Sequence, residues 1–373
     1  MINAKIEHDG AGACGLLSID LGALRANYLA LCRRTAPVKV AAVVKADAYG
    51  LGAGRVAPVL YAAGCRNFFV AHFHEALRLK PYIPSDADIY VLNGLQPGSE
   101  ITCADAGIVP VLNSLEQLAN WSTLGRDRQT RLPAALQFDT GMSRLGLAPE
   151  ETQEIVGQPS LLDWVDVSFI MSHLACGDEP DNAANTGALA NMREVAALFP
   201  AARVCFANSG GILLGTDFHG DLARTGIALY GGAPVAGLAN PMKPVVRLSV
   251  RVIQTRTVPA GTAVGYGGAH VTKGETRLAT ISAGYADGLP RHLSDTGAAY
   301  FDGVRLPIVG RVSMDSMTLD VSALPESALK LGSLVELIGE HQTLEDIANA
   351  SGTISYEILT RLGQRYHREY LPA

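Results

Sequence analysis

No C-x-x-C pair occurs among the six cysteines (Cys14, Cys32, Cys65, Cys103, Cys176 and Cys205), which argues against a zinc ribbon or a disulfide framework. Reduced thiols, mostly buried, are the expectation. No uninterrupted apolar run approaches the roughly 18 residues of a membrane span; Lys45 already breaks the most hydrophobic early stretch. Nor is a signal peptide expected, because Lys5, Glu7 and Asp9 precede only a short apolar patch that Asp20 closes. Basic residues show no excess: 30 Lys and Arg face 36 Asp and Glu, a net charge of −6 without blocks of one sign, so neither nucleic acid nor an anionic membrane is an expected partner. Nor is there a nucleotide loop. After Gly50 and Gly52 the position that G-x-G-x-x-G requires is Arg55, and G-x-x-x-x-G-K-[ST] occurs nowhere. With no low-complexity tract either, a cytosolic, cytoplasmic globular protein is expected.

What is present is a chain of 373 residues, 48% apolar, long enough for two domains and a large core. Eight β-branched runs, each followed by a stretch of helical periodicity, lie between residues 38 and 230: VKVAAVVK (38–45), NFFVAH (67–72), DIYVLNG (88–94), IVPVLNS (108–114), PAALQFD (133–139), VDVSFIMSHLA (165–175), RVCFANS (203–209) and RTGIALYG (224–231). Segments such as EALRLK, SLEQLANW and NTGALANMREVAALF space their apolar residues three and four apart, as outer helices on a parallel sheet do. Eight such units predict an α/β fold, a closed (β/α)8 barrel of the TIM type. After Pro244 the pattern changes to period-two alternation in VVRLSVRVIQTRTV, then short strands at TRLATISAGY, VRLPIVGRV and SLVELIGE, two short helices (LEDIANA, SYEILTRLG) and a charged end. The expected domains are a barrel over residues 1–244 and a mainly-β domain over 245–373, with the first ~20 residues able to join the second.

Active sites of such barrels lie at the C-terminal strand ends, which here are Lys45, His72, Asn93, Asn113, Asp139, His173, Asn208 and Tyr230. Lys45 stands out. An ammonium at the mouth of a hydrophobic strand is desolvated, which lowers its pKa and favours a nucleophilic, Schiff-base amine; a rim lysine reaching to solvent accounts for its position equally well. Asn208, Ser209, Gly210 and Gly211 follow the seventh strand, and Gly226 and Ile227 lie in the eighth, where barrels commonly bind phosphate through backbone N–H groups. An amine nucleophile with a phosphate clamp in one barrel mouth suits pyridoxal 5'-phosphate (PLP).

The motifs carry a resemblance. VVKADAYGLGAG is similar to the PLP-lysine signature of alanine racemases, and FDTGMSRLG, MSHLACGDE, ANSGGIL, ARTGIALYGG, VGYGG, GYADGLPR, GRVSMDSM and TISYE resemble that family's motifs in order from residue 38 to residue 357. The resemblance implies a PLP barrel plus a C-terminal β domain, a head-to-tail homodimer with shared active sites, and interconversion of L- and D-alanine, for peptidoglycan or for alanine catabolism. It makes Lys45 the cofactor lysine and one of two catalytic bases, and Tyr266 of the partner subunit the other. Tyr49, Asn208, Ser209, Gly226, Ile227 and Tyr356 would bind the cofactor, Arg224 would face its ring nitrogen with support from His173, and Arg144 would contact its phenolic oxygen. Tyr285, Met314 and Asp315, with Arg144, would line the substrate entrance and carboxylate site. One position departs from the pattern: where many members carry a lysine, often carbamylated, seven residues before the arginine of the DTGM-x-R motif, this chain has Gln137. Its amide oxygen, a bound anion or a water are the candidates to orient Arg144 instead.

An arginine does not give up its proton readily, so a ring nitrogen facing Arg224 stays unprotonated and a persistent carbanion is disfavoured, which suits racemisation over transamination. A base on each face of Cα is then required. The alternatives are a broad-specificity racemase, a basic-amino-acid decarboxylase of the same architecture, and a non-catalytic PLP-binding regulatory protein. Arg224 opposes the decarboxylase, which puts an acid at that place, and the residues after 245 oppose the single-domain regulator. His72 and His74 form an H-x-H pattern found in metal hydrolases, yet no other strand end offers an arranged third ligand, and no metal is expected.

Overall fold

The computed structural model describes residue 10 and residues 12–373; Lys5, Glu7 and Asp9, which bear on the expectation of no signal peptide, lie outside the described residues. The chain divides into two compact units, one formed by Leu24–Met242 and the other by the described residues up to Ala23 with Lys243–Ala373.

In the first unit eight parallel strands run in chain order: β2 (Lys39–Val43), β3 (Asn67–Val70), β4 (Asp88–Val91), β5 (Val109–Leu112), β6 (Leu132–Gln137), β7 (Val165–Met171), β8 (Val204–Cys205) and β9 (Leu222–Thr225). Neighbours in sequence are neighbours in the sheet, and β9 returns to pair with β2 from Lys39↔Leu222 to Ala42↔Thr225. The remaining seam is drawn together by Asp221 N–H on the Val204 carbonyl (2.7 Å) and Arg224 N–H on the Ala207 carbonyl (2.8 Å), giving the (β/α)8 barrel. Most residues of these strands are apolar and buried, as parallel strands under helices are; Arg224 and Thr225 on β9 are buried polar exceptions. Helix Leu115–Asp127 starts where the Ser114 hydroxyl accepts the Gln117 N–H (3.2 Å) and buries Leu118, Trp121 and Gly125 along one stripe. Phe69 and Tyr90 stack in the core at 4.7 Å, with Phe169 edge-on to Tyr90 at 5.8 Å.

The eighth run differs from the expectation. Its strand covers Leu222–Thr225, and IALY forms a 3-10 turn, Ile227–Tyr230. The turn is as buried as a strand, so its apolar content imitates one. Tyr230 is therefore no strand end: its ring stacks on Tyr49 at 4.6 Å and its hydroxyl donates to the Val43 carbonyl at 2.9 Å.

The second unit is built on β1 (Gly15–Asp20) with β10 (Val246–Val258), β11 (Ala263–Val264), β12 (His270–Val271), β13 (Thr276–Ile281), β14 (Ala298–Phe301), β15 (Val304–Pro307), β16 (Met317–Asp320), β17 (Leu334–Ile338) and β18 (His367–Leu371). The main sheet runs β15-β14-β17-β10-β1-β18, with β13 and β16 branching from β10, while β11 and β12 form a separate hairpin. Helices Leu344–Ala350 and Ser355–Arg361 fall where their periodicity places them. The charged end is itself a strand, paired in parallel with β1 from Leu16↔His367 to Asp20↔Leu371. All six cysteines are free; Cys65, Cys103 and Cys205 are buried and the other three half-buried. No helix among the described residues is long and apolar enough to cross a membrane.

Candidate active site

Seven of the eight strand-end residues, from Lys45 to Asn208, follow their strands within three positions. Lys45 leads into a turn in which Ala46, Asp47, Ala48 and Tyr49 all take left-handed dihedrals, with φ of 51°, 53°, 55° and 56°. Such a conformation costs an L-residue roughly 1–2 kcal/mol, so the run must be held from outside. The turn bends the chain back under the barrel mouth and brings Tyr49, 5% exposed, against Tyr230. Burial lowers the Lys45 pKa below its ordinary value, and the guanidinium groups of Arg144 and Arg224 lower it further against an opposing pull from Glu75.

Arg224 lies on β9 and is 3% exposed. Its Nη2 donates to the Ser172 and Phe206 carbonyls, while its Nε is a buried donor with no partner among the described residues. A buried unpaired donor costs about 1–3 kcal/mol, so this N–H is arranged for an acceptor that the chain itself does not supply. His173, two residues past β7, is held neutral: burial, then the positive charges of Arg224, Arg144 and Lys45, push its pKa well below 6.5.

After β8 and β9 the backbone forms a close cradle around the Ser209 hydroxyl. The Ser209 hydroxyl, buried, receives the N–H groups of Gly226 (2.9 Å) and Ala228 (3.5 Å) and lies 3.2 Å from the Thr225 hydroxyl. Gly226 is required there, since a Cβ on it would stand 2.3 Å from the Tyr49 hydroxyl. Asn208 braces the cradle from behind, its amide donating to the Leu174 carbonyl (3.2 Å) and its oxygen accepting the Gly211 N–H (2.9 Å).

The loop after β6 carries Arg144. Asp139 fixes it by accepting the N–H groups of Gly141, Met142 and Ser143 at 2.9–3.1 Å. Burial raises the Asp139 pKa, but these three donors outweigh it and leave it below the usual value. Arg144 is exposed, and the Gln137 side chain, buried at the end of β6, makes no hydrogen bond to another described residue. His72 and His74 stack at 5.7 Å, Asn93 reaches His72 Nδ1 at 3.4 Å, and no group of three or more His, Cys, Asp or Glu among the described residues is placed to hold a metal ion.

The fold with this site matches two family models, "Alanine racemase, N-terminal domain" over residues 19–234 and "Alanine racemase, C-terminal domain" over residues 245–370. The chain belongs to the alanine racemase family. It is 62% identical over 360 residues to the catabolic alanine racemase of Agrobacterium fabrum, covering 96% of this chain and 93% of that protein. It is 64% identical over 359 residues to the catabolic alanine racemase of Rhizobium johnstonii, covering 96% and 95%. Among solved structures, the alanine racemase of Bartonella henselae with covalently bound pyridoxal phosphate superimposes with a TM-score of 0.93 at 46% identity, covering 96% of this chain and all of that one.

The remaining family positions lie in the second unit. Tyr266 sits on the turn between β11 and β12 and is 71% exposed. Gly265 and Gly267, at φ 73° and 69°, shape that turn, and Gly267 leaves room only for Arg311, whose Nη1 a Cβ would meet at 2.9 Å. Tyr285 and Met314 are neighbours, joined through Tyr285 N–H on the Ser313 carbonyl (3.1 Å) and Ala286 N–H on the Met314 carbonyl (3.0 Å). Asp315 pairs with Arg365 at 2.6 Å, and Arg365 also holds the buried Asp287 at 2.6 and 2.7 Å. Tyr356, in helix Ser355–Arg361, is 40% exposed. Neither Glu75 nor the Ala228 N–H is marked by residue spacing; only a glutamate at the third position of a helix hints at the first.

Proposed function

We propose that the barrel mouth holds pyridoxal phosphate on Lys45 and that the chain interconverts L- and D-alanine there. The observation that carries this is the unpartnered Nε–H of buried Arg224, in one barrel with a lysine of depressed pKa and with backbone N–H groups converging on the Ser209 hydroxyl. Ser209, Gly226, Ile227, Tyr49 and Tyr356 would hold the phosphate, with Asn208 bracing the loop, and Arg224 Nε the ring nitrogen. When bound, the cofactor supplies the electron sink that acidifies the amino acid's Cα proton. Arg224 donates a hydrogen bond without surrendering its proton, since a guanidinium does not titrate in this range. Neutral His173 lies within the field of Arg224 and adds no further positive charge. Arg144, on its Asp139-pinned loop, would meet an anionic oxygen of the cofactor or substrate.

Lys45, its ammonium destabilised by burial and two arginines, gives up its proton more readily than an ordinary lysine and would take or return one on one face of Cα. The opposite face needs a second base, and we assign it to Tyr266 of the partner subunit in a head-to-tail homodimer. The high exposure of Tyr266, and of the neighbouring Tyr285 and Met314, supports this, because large exposed side chains of this kind suit a contact to be covered. Tyr285, Met314 and Asp315 would then line the entrance. Six free cysteines favour a reducing, cytoplasmic setting, and similarity to two racemases named catabolic favours alanine breakdown over peptidoglycan supply. The test is a panel of D- and L-amino acids with purified protein and added PLP. Racemisation of alanine far above other substrates is expected; equal rates across the panel favour a broad racemase, and no racemisation by PLP-loaded protein overturns the assignment.

A further inference from the structure

The left-handed run Ala46–Tyr49 contains no glycine, and its internal bonds (Ala48 N–H to Val44 O, 2.9 Å; Gly50 N–H to Ala46 O, 2.8 Å) stabilise the turn without fixing it to the barrel. Strained conformations persist where the surroundings over-determine them. At the far end the stack of Tyr49 on Tyr230 does this. At the Lys45 end a single carboxylate does it: Glu75 Oε1 accepts the Ala46 N–H at 2.7 Å, and its Oε2 accepts the N–H groups of Ala71 (2.8 Å) and His72 (3.0 Å) at the end of β3. Asp47, the other acid nearby, is turned away to accept the Ala53 N–H at 2.7 Å.

We infer that Glu75 is a positioning residue for Lys45: it fastens the left-handed turn to the end of β3 and supplies a counter-charge to a lysine that also feels the cations of Arg144 and Arg224. The inference rests on Lys45 being the cofactor lysine. The charged groups acting on that amine are Arg144, Arg224 and Glu75, with His173 held neutral beside them. Glu75 in turn shares a cavity of about 400 Å³ with Asp47, His74, Arg78 and Tyr82, whose opposite charges largely offset one another. Without Glu75, the amine loses both its anchor and the carboxylate that favours its protonation.

Two variants separate these effects. Glu75→Gln keeps the length and one acceptor but removes the charge; Glu75→Asp keeps the charge but shortens the reach. In cofactor-free protein, the pH midpoint for reductive methylation of Lys45, read on the peptide that contains it, is expected to fall by about one pH unit or more in Glu75→Gln and to stay near the parent's in Glu75→Asp. In holoenzyme both variants should lose roughly tenfold or more in kcat with little change in KM, since a displaced nucleophile costs turnover more than binding. A folded Glu75→Gln protein with the parent's midpoint and the parent's kcat overturns the inference. If Glu75→Gln does not fold, Glu75→Asp decides: reduced kcat with a parent-like midpoint supports the role, and parent-like kcat refutes it. Borohydride reduction of the PLP-loaded parent is run alongside. Failure to label Lys45 there would remove the cofactor assignment, whereas the cofactor-free midpoints would still decide whether Glu75 governs the amine.

Discussion

Replacing Gly226 with alanine sets a methyl group against the Tyr49 side chain. The new Cβ would lie 2.3 Å from the Tyr49 hydroxyl oxygen and 3.1 Å from its Cζ, whereas favourable contact begins near ~3.5 Å. The hydroxyl must therefore retreat by about 1 Å. It has little room: the ring is 5% exposed and stacked at 4.6 Å on Tyr230, whose own hydroxyl is tied to the Val43 carbonyl at 2.9 Å. Overpacking of this kind costs about 1–3 kcal/mol. Borne by the cofactor complex, that is a ~5- to ~150-fold weaker PLP affinity; borne by the protein alone, it lowers Tm by about 2–4 °C per kcal/mol for a unit of this size. PLP titration of cofactor-free protein by absorbance, with thermal melts of parent and variant, apportions the two. Tyr49→Phe in the Gly226→Ala background removes the closest contact and should recover part of the loss, a non-additivity expected of touching residues. PLP affinity and Tm both unchanged in Gly226→Ala would refute the cradle geometry.

Arg224→Glu is expected to favour a protonated cofactor nitrogen, slow racemisation and increase transamination, followed by keto-acid release; parent-like partitioning would refute the role of Arg224. Tyr266→Phe should impair proton removal from one enantiomer by ~100-fold or more while leaving cofactor binding intact. Mixing Lys45→Ala with Tyr266→Phe protein should then restore activity in heterodimers, and no recovery after demonstrated subunit exchange would defeat the shared site. Because His173 titrates well below its ordinary 6.5 in the folded protein, the unfolded chain binds a proton near that pH that the native state does not. Stability should fall as pH drops from about 6.5 toward the folded value and be unaffected above it; urea midpoints from pH 5 to 8 check this, and His173→Gln should flatten the slope.

The barrel strands are legible because most of them, like VAAVV and FFV, are apolar runs between turn residues, as strands buried on both faces tend to be. The same rule misleads at IALY, where a buried 3-10 turn satisfies the composition without the extended backbone. Strand β1 carries a clean alternation in GLLSID, but its partners lie near residues 250 and 370 and nothing local announces them. At the site, Lys45, Ser209 and Arg224 are legible from strand ends and motifs. The left-handed turn is not: ADAY has no glycine and only Asp47 is a residue that tolerates positive φ well, and the carboxylate that holds the turn comes from Glu75, on a later unit of the barrel.

The placement of β1 has a consequence for how the protein is made. It bonds to β10 from Gly15↔Val250 to Ile19↔Val246 and to β18 from Leu16↔His367 to Asp20↔Leu371, so the second unit is assembled from both sides of the segment that encodes the barrel. At roughly 5–20 residues per second of synthesis, β1 waits on the order of ten to fifty seconds for its first partner and longer for its second. The barrel, whose strands pair with sequence neighbours, can close in that interval, while a half-buried hydrophobic strand stays unpaired on the nascent chain. Shortening either flank of the sheet, by trimming residues 15–20 or 367–371, should therefore harm the same structure, and the folding yield of this enzyme should depend more on β1 finding its place than on the barrel that carries the chemistry.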